Sequence, residues 1–413
     1  KVVNTFKVRA SYGSLGNQNT SSLYPTYSTI GTGTGSWIID GTLANIAWAP
    51  SLVSYNLSWE KIRTWNAGVD FGLFNNRLTG SFDYYIRKTD DMVGPSEKLP
   101  VVLGTAVPSS NNTNLKTFGW ELELMWKDRL NNGLNYSARF TLADSRTKIT
   151  RYSNPSGLID GFYAGKYVGE IWGYETIGIA QSDQEMAEHI GRLINGGQSN
   201  LGQDWKAGDI MYKDLNEDGK IDAGSRTLQD HGDLKRIGNS TPRYNVGLEL
   251  AADWKGFDIR MFWQGTLKRD YFQGSYYFWG ANGRQGPWFS TALKGHDDYF
   301  RNDEASPLGT NLNSYYPRPL FNTDKNQQSQ TKYLQDASYL RLKNLQIGYS
   351  LPHNIVQKMG MQHLRIFASG ENLFTITSLI DFFDPESIEG GSWGHGNVYP
   401  LSRTFSFGLN VTF

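Results

Sequence analysis

The sequence lacks cysteine, which excludes disulfide bonds, thiolate metal sites and a cysteine nucleophile. No apolar run approaches the roughly 18 residues that a membrane-spanning helix needs. Histidine is scarce, at six residues, and none stands in an H-E-x-x-H context. Basic and acidic residues balance at 40 each, so net charge gives no reason to expect a nucleic-acid partner.

Aromatic residues are abundant instead, at 14% of the chain, with 13 Trp and 23 Tyr. The mean hydropathy of −0.50 resembles that of a water-soluble protein. Transmembrane β-barrels share such values, because half of each strand faces a wet interior and the loops are polar. Barrels also place Trp and Tyr in girdles at the two membrane interfaces. The composition therefore agrees with a membrane β-barrel.

The last residues alternate strictly between apolar and small or polar side chains. The apolar set is Phe405, Phe407, Leu409, Val411 and Phe413, and the other set is Thr404, Ser406, Gly408, Asn410 and Thr412. A period of two places each set on its own face of a β-strand. A greasy strand ending in a free aromatic residue needs an apolar cover, and a lipid bilayer supplies one. This segment predicts an outer-membrane strand.

The same alternation recurs along the chain and predicts ten strands. They lie at about 5–14, 59–73, 78–86, 118–126, 134–142, 244–250, 257–263, 338–351, 363–376 and 403–413. Their other face is polar and often charged, as at Asp70, Glu123, Arg139 and Arg260, which predicts a wet or plugged interior. We therefore predict an all-β fold, a transmembrane antiparallel β-barrel.

Connections between these strands alternate between short and long. The long ones cover about 15–58, 89–115, 150–241, 267–336 and 377–402. Outer-membrane barrels have short periplasmic turns and long extracellular loops, whereas structureless loops beyond about 15 residues are uncommon in compact soluble domains. We expect the long connections to be extracellular and turns such as Phe74–Arg77, Leu130–Gly133 and Asp253–Gly256 to be periplasmic.

Several segments together resemble one family. They are FKVRASYGSLGNQ at 6–18, LSWEKIRTWNAGVD at 57–70, GDIMYKDLNEDGKID at 208–222, ASYLRLKNLQIGYSLP at 337–352, GENLF at 370–374 and YPLSRTFSFGLNVTF at 399–413. In this order they are similar to the C-terminal portion of SusC-like (SusC/RagA family) TonB-dependent outer-membrane transporters. The similarity runs from the first predicted strand to the last residue.

The resemblance implies a plugged barrel of about 22 strands, a size known for outer-membrane transporters. It implies the cell outer membrane as location, membrane lipid around the barrel, and a SusD-like lipoprotein over its mouth. The plug and the TonB box have no counterpart in residues 1–413, so we expect a remaining N-terminal part to complete the barrel and contact TonB. The implied function is energised import of nutrients, with glycans as the expected cargo and peptides as the alternative.

A loop with the pattern D-x-N-x-D-G-x-I-D suggests a calcium site. Asp214, Asn216, Asp218, the Lys220 carbonyl and Asp222 offer the oxygen ligands and spacing that Ca²⁺ prefers. Position 12 of such a loop normally supplies a bidentate carboxylate, and here it is Ser225; Asp209 or Asp230 would have to substitute. The alternative is a turn whose side chains cap their own backbone. No cofactor is required by either interpretation.

Aromatic residues of the long loops are the candidate substrate-binding residues. The expected set is Tyr276, Tyr277, Trp279, Trp288 and Trp393. Flat aromatic faces beside amide and carboxyl groups suit oligosaccharides, and they equally suit packing between loops or onto a partner protein.

No catalytic constellation is evident, so we do not expect an enzyme. Asp381, Asp384, Glu386 and Glu389 could supply the paired carboxylates of a glycosidase, but they crowd one Gly-rich loop, where a solvated face is the simpler explanation. Two further function classes remain open: a complete ten-stranded outer-membrane hydrolase, which needs such a catalytic set at its rim, and a surface adhesin, which does not need a charged interior.

Overall fold

A computed structural model of the chain describes residues 2–18, 24–50, 52–94, 102, 107–281, 290, 292–390 and 394–413. The first strands are β1 Val3–Asn17, β2 Thr32–Ile39, β3 Thr42–Ala47, β4 Glu60–Leu73, β5 Leu78–Met92, β6 Thr113–Arg129, β7 Asn135–Arg151, β8 Glu170–Tyr174 and β9 Thr176–Ile179. The others are β10 Ile210–Tyr212, β11 Leu234–Asn239, β12 Arg243–Trp254, β13 Phe257–Lys268, β14 Asp270–Phe272, β15 Leu334–Asp336, β16 Tyr339–Ser350, β17 His363–Thr377 and β18 Thr404–Thr412.

Helices are few and short. They are α1 Asp183–Arg192, α2 Tyr276–Trp279, α3 His353–Lys358 and a 3₁₀ turn at Lys294–Asp297. None of the helices in the described ranges is long and apolar enough to cross a membrane.

Ten strands form one antiparallel sheet, and they are the ten that the sequence predicts. Their order is β1, β4, β5, β6, β7, β12, β13, β16, β17 and β18, so each wall strand pairs with the next one along the chain. Within the described residues, β1 and β18 each have one neighbour in this sheet, which leaves both edges open. The all-β prediction is confirmed, and the sheet is a partial barrel.

Short turns join the strands at one end of the sheet. Between β12 and β13, Trp254 pairs with Phe257, and Lys255 and Gly256 have φ of 50° and 90°. Two consecutive positive φ values define the type I′ turn, whose twist matches that of the strands it joins. A Cβ at Gly256 would lie 2.7 Å from the Ser350 carbonyl oxygen, so glycine is required there for space as well as for φ.

Burial in the sheet is the inverse of that in a water-soluble protein. Its large apolar side chains are exposed, with Phe407 at 85%, Val8 at 69% and Trp65 at 61% of their accessible surface. These side chains lie on the face that the alternation predicts to be outward. A continuous exposed apolar face of this kind is stable only against another apolar medium, and acyl chains are that medium for an outer-membrane barrel.

Ion pairs between neighbouring strands line the opposite face. Arg9 of β1 donates to Asp70 of β4 at 2.8 Å and to Asp83 of β5 at 2.8 Å. Arg139 pairs with Glu123 at 2.9 Å between β7 and β6. Several charges of the predicted polar interior are thus paired, which costs less than isolated charges would.

The connections contain structure that the alternation did not predict. Four two-stranded sheets lie in the described loops, pairing β2 with β3, β8 with β11, β9 with β10 and β14 with β15. The second and third of these sheets lie in the connection 152–242 and the fourth lies in 269–338. These two loops therefore have regular secondary structure.

Candidate functional site

The hydrophobic core of the protein lies in the connections rather than in the sheet. Residues 152–242, 269–338 and 378–403, here called the loop cap, share one cluster of buried side chains. Its members are Ile159, Tyr174, Ile210, Tyr212, Ile221, Leu234, Phe278, Trp279, Tyr316, Tyr333, Ala337, Leu379, Phe383 and Ile388. Because all three connections contribute, the cap is one packed body that can hold a binding site rigidly.

Aromatic rings form the centre of this cluster. The Trp279 and Tyr333 ring centroids lie 4.7 Å apart at 72°, an edge-to-face geometry that aromatic pairs prefer. Tyr316 lies 6.3 Å from Tyr333 with nearly parallel planes. Burial raises the pKa of both Tyr316 and Tyr333 well above the ordinary value of 10.0. Both phenols are therefore neutral at physiological pH.

A cavity of about 400 Å³ adjoins this centre. Its volume is within the usual range for small-molecule sites. Aromatic and proline side chains make up much of its wall, and polar groups interrupt them. The lining includes Trp279, Tyr299, Tyr316, Pro317, Pro319 and Phe321, together with His296, Asp297, Arg318, Asn326 and Gln327. An apolar cavity with a few convergent polar groups is the usual form of a ligand site.

Two polar atoms on lining residues are left without a partner. Trp279 Nε1 and Tyr316 Oη are both buried, and neither has a hydrogen-bond partner among the described residues. A buried donor without a partner costs about 1–3 kcal/mol. Such groups are commonly satisfied by a ligand or water. Both atoms are closed off from solvent here, so a molecule bound in the cavity would reach them only after a shift of neighbouring side chains.

His296 fixes the shape of the cavity wall. Its Nδ1 accepts a hydrogen bond from the Leu293 amide at 2.9 Å, and its Nε2 lies 3.0 Å from the Tyr277 carbonyl and 3.1 Å from that of Phe278. These contacts require the neutral tautomer with hydrogen on Nε2. Burial lowers the pKa of His296, which agrees with a neutral ring. The imidazole ties the 3₁₀ turn to helix α2.

A cluster of buried charged groups lies behind another side of the cavity. The Asp209 carboxylate accepts hydrogen bonds from Arg318 at 2.7 and 2.8 Å and from Asn326 at 2.8 Å, and lies 2.9 Å from Lys325 Nζ. Burial opposes the charged carboxylate, but these donors outweigh it and hold the pKa of Asp209 below its usual range. The cluster joins the two longest connections, because Asp209 and Arg318 are 109 residues apart.

The predicted aromatic residues separate into three groups. Trp279 lines the cavity. Tyr276 and Tyr277 pack on each other, with centroids 4.2 Å apart, and do not line it. Trp288 and Trp393 lie outside the described residues. Sequence reasoning missed His296, Arg318 and Asn326, since no motif or spacing marks them and their contacts form only when distant segments meet.

The 214–222 loop has the hydrogen bonds of an Asx-rich turn. Asp214 accepts from the amides of Glu217 at 2.7 Å and Gly219 at 2.8 Å, and Asp218 accepts from the Lys220 amide at 3.1 Å. The Lys220 ammonium lies 2.8 Å from Asp222 Oδ2. That hydrogen bond raises the pKa of Lys220, so its charge stands near carboxylates that a metal ion would use.

Two further carboxylates bear on this loop. Asp230 accepts from the Ser225 amide at 2.9 Å and from its hydroxyl at 2.5 Å, so it does fold back on position 12. Asp209 belongs instead to the buried ion cluster with Arg318 and Lys325. Asp233, which sequence reasoning missed, is fully buried and accepts from the amides of Leu215 and Asp222. In the described part of the chain, no three His, Asp or Glu side chains group as a metal site. Calcium binding stays a prediction.

The carboxylates of the last connection are engaged rather than solvated. Asp384 and Glu386 pair with Arg341 of β16 at 2.6 and 2.9 Å, and Glu386 also pairs with Lys343 at 3.0 Å. Glu389 pairs with Arg269 at 2.5 Å. The expectation of a solvated face was wrong for Asp384 and Glu386, which clamp the connection onto the barrel wall, whereas the Glu389 side chain is 58% exposed and its partner Arg269 belongs to the loop cap.

Known proteins resemble this chain over nearly its whole length. The family model described as TonB dependent receptor-like, beta-barrel, matches residues 1–373. TonB-dependent receptor P3 of Formosa agariphila is 29% identical over 436 residues, an alignment that covers all of this chain and 40% of that receptor. TonB-dependent receptor SusC of Bacteroides thetaiotaomicron is 27% identical over 373 residues, covering 88% of this chain and 33% of SusC.

Solved structures agree on the fold. The RagAB peptide transporter superposes with a TM-score of 0.71 at 22% identity, covering all of this chain and 41% of the matched chain. The same transporter in its closed-closed state gives 0.69 at 21% identity. The chain thus spans about 40% of the length of the relatives it matches most fully.

Proposed function

Because this chain belongs to the TonB-dependent receptor-like β-barrel family and is an outer-membrane protein, we propose that it supplies the C-terminal wall and much of the extracellular mouth of a nutrient importer of the SusC/RagA type. The open ten-stranded sheet is completed by the remaining N-terminal part of the transporter, which also carries the plug and the contact with TonB. The observation that carries this proposal is the pairing of a lipid-facing sheet with a separately packed loop cap.

The proposed cargo is an oligosaccharide. Sugars present apolar C–H faces and hydroxyl edges, and the cavity offers the rings of Trp279, Tyr299 and Tyr316 together with polar groups such as Asn326. The unpartnered Nε1 of Trp279 and Oη of Tyr316 match hydroxyl groups, each of which both donates and accepts. The loop Asp214–Asp222 would bind calcium as a structural ion in the cap, away from the cargo.

A peptide is the second candidate cargo. RagAB, which shares the fold, is a peptide transporter. In this chain the exposed Asp297 at the cavity edge favours the idea, since a carboxylate there would pair with a peptide's basic group.

A SusD-like lipoprotein is the proposed partner, seated over connections 150–241 and 267–336. The described Trp and Tyr side chains of these two connections are largely packed into the cap itself, so they offer a partner little exposed Trp or Tyr surface. That surface lies on the first connection instead, where Trp37 is 81% exposed. Asp40 is the single charged residue between Arg9 and Glu60, so this connection offers a neutral, apolar contact.

The test uses the full-length transporter purified from its native membrane in mild detergent, without added lipoprotein. Labelled oligosaccharides and a tryptic peptide pool are the probes for binding and uptake. Tyr316→Phe removes the unpartnered hydroxyl and keeps the ring. We expect it to weaken oligosaccharide binding by about three- to ten-fold, as the loss of one hydrogen bond does, without loss of cap stability.

Tyr333→Phe is the matched control. Its hydroxyl donates to the Tyr315 carbonyl at 2.8 Å and it does not line the cavity. Removing it should lower stability and leave affinity unchanged. Selective binding of the peptide pool would favour the second cargo, and failure to bind either probe would contradict the assigned site. Purification of the barrel without any lipoprotein would contradict the partner.

A further inference from the structure

Four cations stand side by side on the lipid-facing side of the sheet. Arg63 of β4 pairs with Lys88 of β5, Lys88 with Lys116 of β6, and Lys116 with Lys148 of β7. Directly paired residues share a face, and their Cβ atoms are about 4.5–5.5 Å apart. The four residues, here called the cation row, therefore form a continuous band of positive charge across four strands.

On β4, β5 and β6 the row lies at the upper edge of the apolar band, whereas on β7 the next residue of this face is Arg146, the partner of Phe118. Two residues along each strand, Trp65, Ile86 and Phe118 occupy the same face and are cross-strand partners of one another. On β6, Lys116 and Asp128 flank this band and are 12 residues apart. At about 3.3 Å per residue and a tilt near 40°, that separation spans about 30 Å of depth. A hydrocarbon core has this thickness, so the row lies at headgroup level on the side of the long connections.

The row has little counter-charge of its own. Arg63 pairs with Asp90. No ion pair within the described ranges includes Lys88, Lys116 or Lys148. Like charges placed directly opposite one another destabilise a sheet. An anion bridging neighbouring ammonium groups would remove this repulsion.

An aromatic ring ends the row. Tyr167, from the start of the loop cap, pairs with Lys148. The Lys148 ammonium lies 5.7 Å from its ring centroid and the Arg146 guanidinium 4.1 Å from it. Cation–π contact and the aromatic preference for the interface hold these side chains at one depth.

We propose that the cation row binds the phosphate groups of a phosphorylated lipid in the outer leaflet of the outer membrane. Charge and position both support this occupant. The row faces away from the barrel interior, where cargo passes, and lies where lipid phosphates meet the protein. Lysine serves phosphate well as a compact, mobile charge, and basic clusters beside a membrane surface attract anionic headgroups. The proposal depends on the membrane position of the sheet and not on the cargo.

The experiment is native mass spectrometry of the full-length transporter in mild detergent, with diphosphoryl lipid A as probe. We expect the wild type to retain the lipid and Lys88→Gln/Lys116→Gln/Lys148→Gln to retain at least ten-fold less. The triple arginine variant, which keeps the charge, should bind like the wild type. Heat-modifiable gel mobility checks that each variant is folded.

Arg87→Gln/Lys127→Gln is the matched control, because both residues lie one position from lipid-facing residues and point to the opposite face. It should retain lipid fully. Phosphatase-treated lipid A should lose binding, and millimolar inorganic phosphate should not displace the lipid. Equal retention by the triple glutamine variant, equal binding of the dephosphorylated lipid, or displacement by free phosphate would each overturn the proposal. Cargo uptake reports separately on the proposed function.

Discussion

Phenylalanine side chains occupy two different environments in this protein, the lipid-facing sheet and the protein interior of the loop cap. Phe407 in the sheet is 85% exposed, whereas Phe278 in the loop cap is fully buried. Burying such a side chain away from water is worth about 1.5–3 kcal/mol. Phe407 gains that free energy only from lipid and Phe278 gains it from protein. Substitutions must therefore be judged by the medium at each position.

Asp209 gives a residue-scale prediction for the cap. Asp209→Asn leaves Arg318 and Lys325 without their shared carboxylate in a buried site, so it should destabilise the cap by about 3–5 kcal/mol. Hydrogen exchange of amides 206–212 measures this opening free energy. Asp160→Asn, which breaks the half-exposed pair with Arg226, is the control and should cost less than about 1 kcal/mol. Equal losses of opening free energy in both variants would contradict a stabilising role of the buried cluster.

His296 gives a prediction about pH. Its pKa in the folded cap is lowered from the ordinary 6.5 by burial, so the unfolded cap binds more protons below that pH. Its contribution to stability is complete above pH 6.5 and is lost as the pH falls towards the folded pKa. Amides of residues 276–281 should exchange faster at pH 5.5 than at pH 7.5, after correction for intrinsic rates.

His296→Asn should flatten that pH dependence. His353→Asn, at an exposed position on the opposite end of the sheet, should leave it unchanged. Partial burial also lowers the pKa of His189, so the His296→Asn variant should keep a smaller acid sensitivity of overall cap stability. Unaltered pH dependence in His296→Asn would contradict the assigned neutral tautomer.

At the scale of elements, the wall strands were predictable and the cap was not. Alternation is a local signal, and it located all ten strands because every second side chain faces lipid. The cap depends on contacts such as that of the Tyr212 hydroxyl with the Lys325 carbonyl, which are 113 residues apart. No hydrophobic periodicity and no sequence motif indicates a contact between residues so far apart in the chain. The cavity was therefore foreseen only through Trp279, and its polar wall was not.

The 214–222 loop gives the element-scale prediction. We propose weak Ca²⁺ binding by Asp214, Asn216, Asp218 and the Lys220 carbonyl at 2.3–2.6 Å, with Asp230 near position 12. Terbium luminescence with calcium competition measures the affinity in the full-length protein. Asp214→Asn should abolish binding. Lys220→Gln removes the competing ammonium and should tighten it several-fold. Equal calcium affinity of the wild type and Asp214→Asn, or no calcium binding by the wild type, would contradict the site.

At the scale of the whole molecule, the sheet is open and the loops crowd one end. Both edge strands have free backbone groups among the described residues, and such edges require closure by further strands. The orientation of this assembly in the membrane follows from the lengths of the connections, since outer-membrane barrels keep short turns at the periplasm.

Cysteine labelling tests that orientation. Ser199→Cys lies at an exposed position in the cap, and Asn131→Cys at an exposed position in the short turn between β6 and β7. A membrane-impermeant thiol reagent applied to intact cells should label only the first, and lysed cells should show both. The native chain has no cysteine, so it provides a blank background. Labelling of Asn131→Cys alone on intact cells would show that the barrel has the opposite orientation in the membrane.

The shared core of the loop cap also determines what an immune system can recognise. Its three connections are separated in sequence by wall strands, and they share one core in the structure in which β7, β12, β13, β16 and β17 are paired. An antibody that binds the assembled surface recognises a discontinuous epitope, which no linear peptide from 152–242 or 269–338 reproduces. Such an antibody would stain only cells in which the barrel has been inserted and folded.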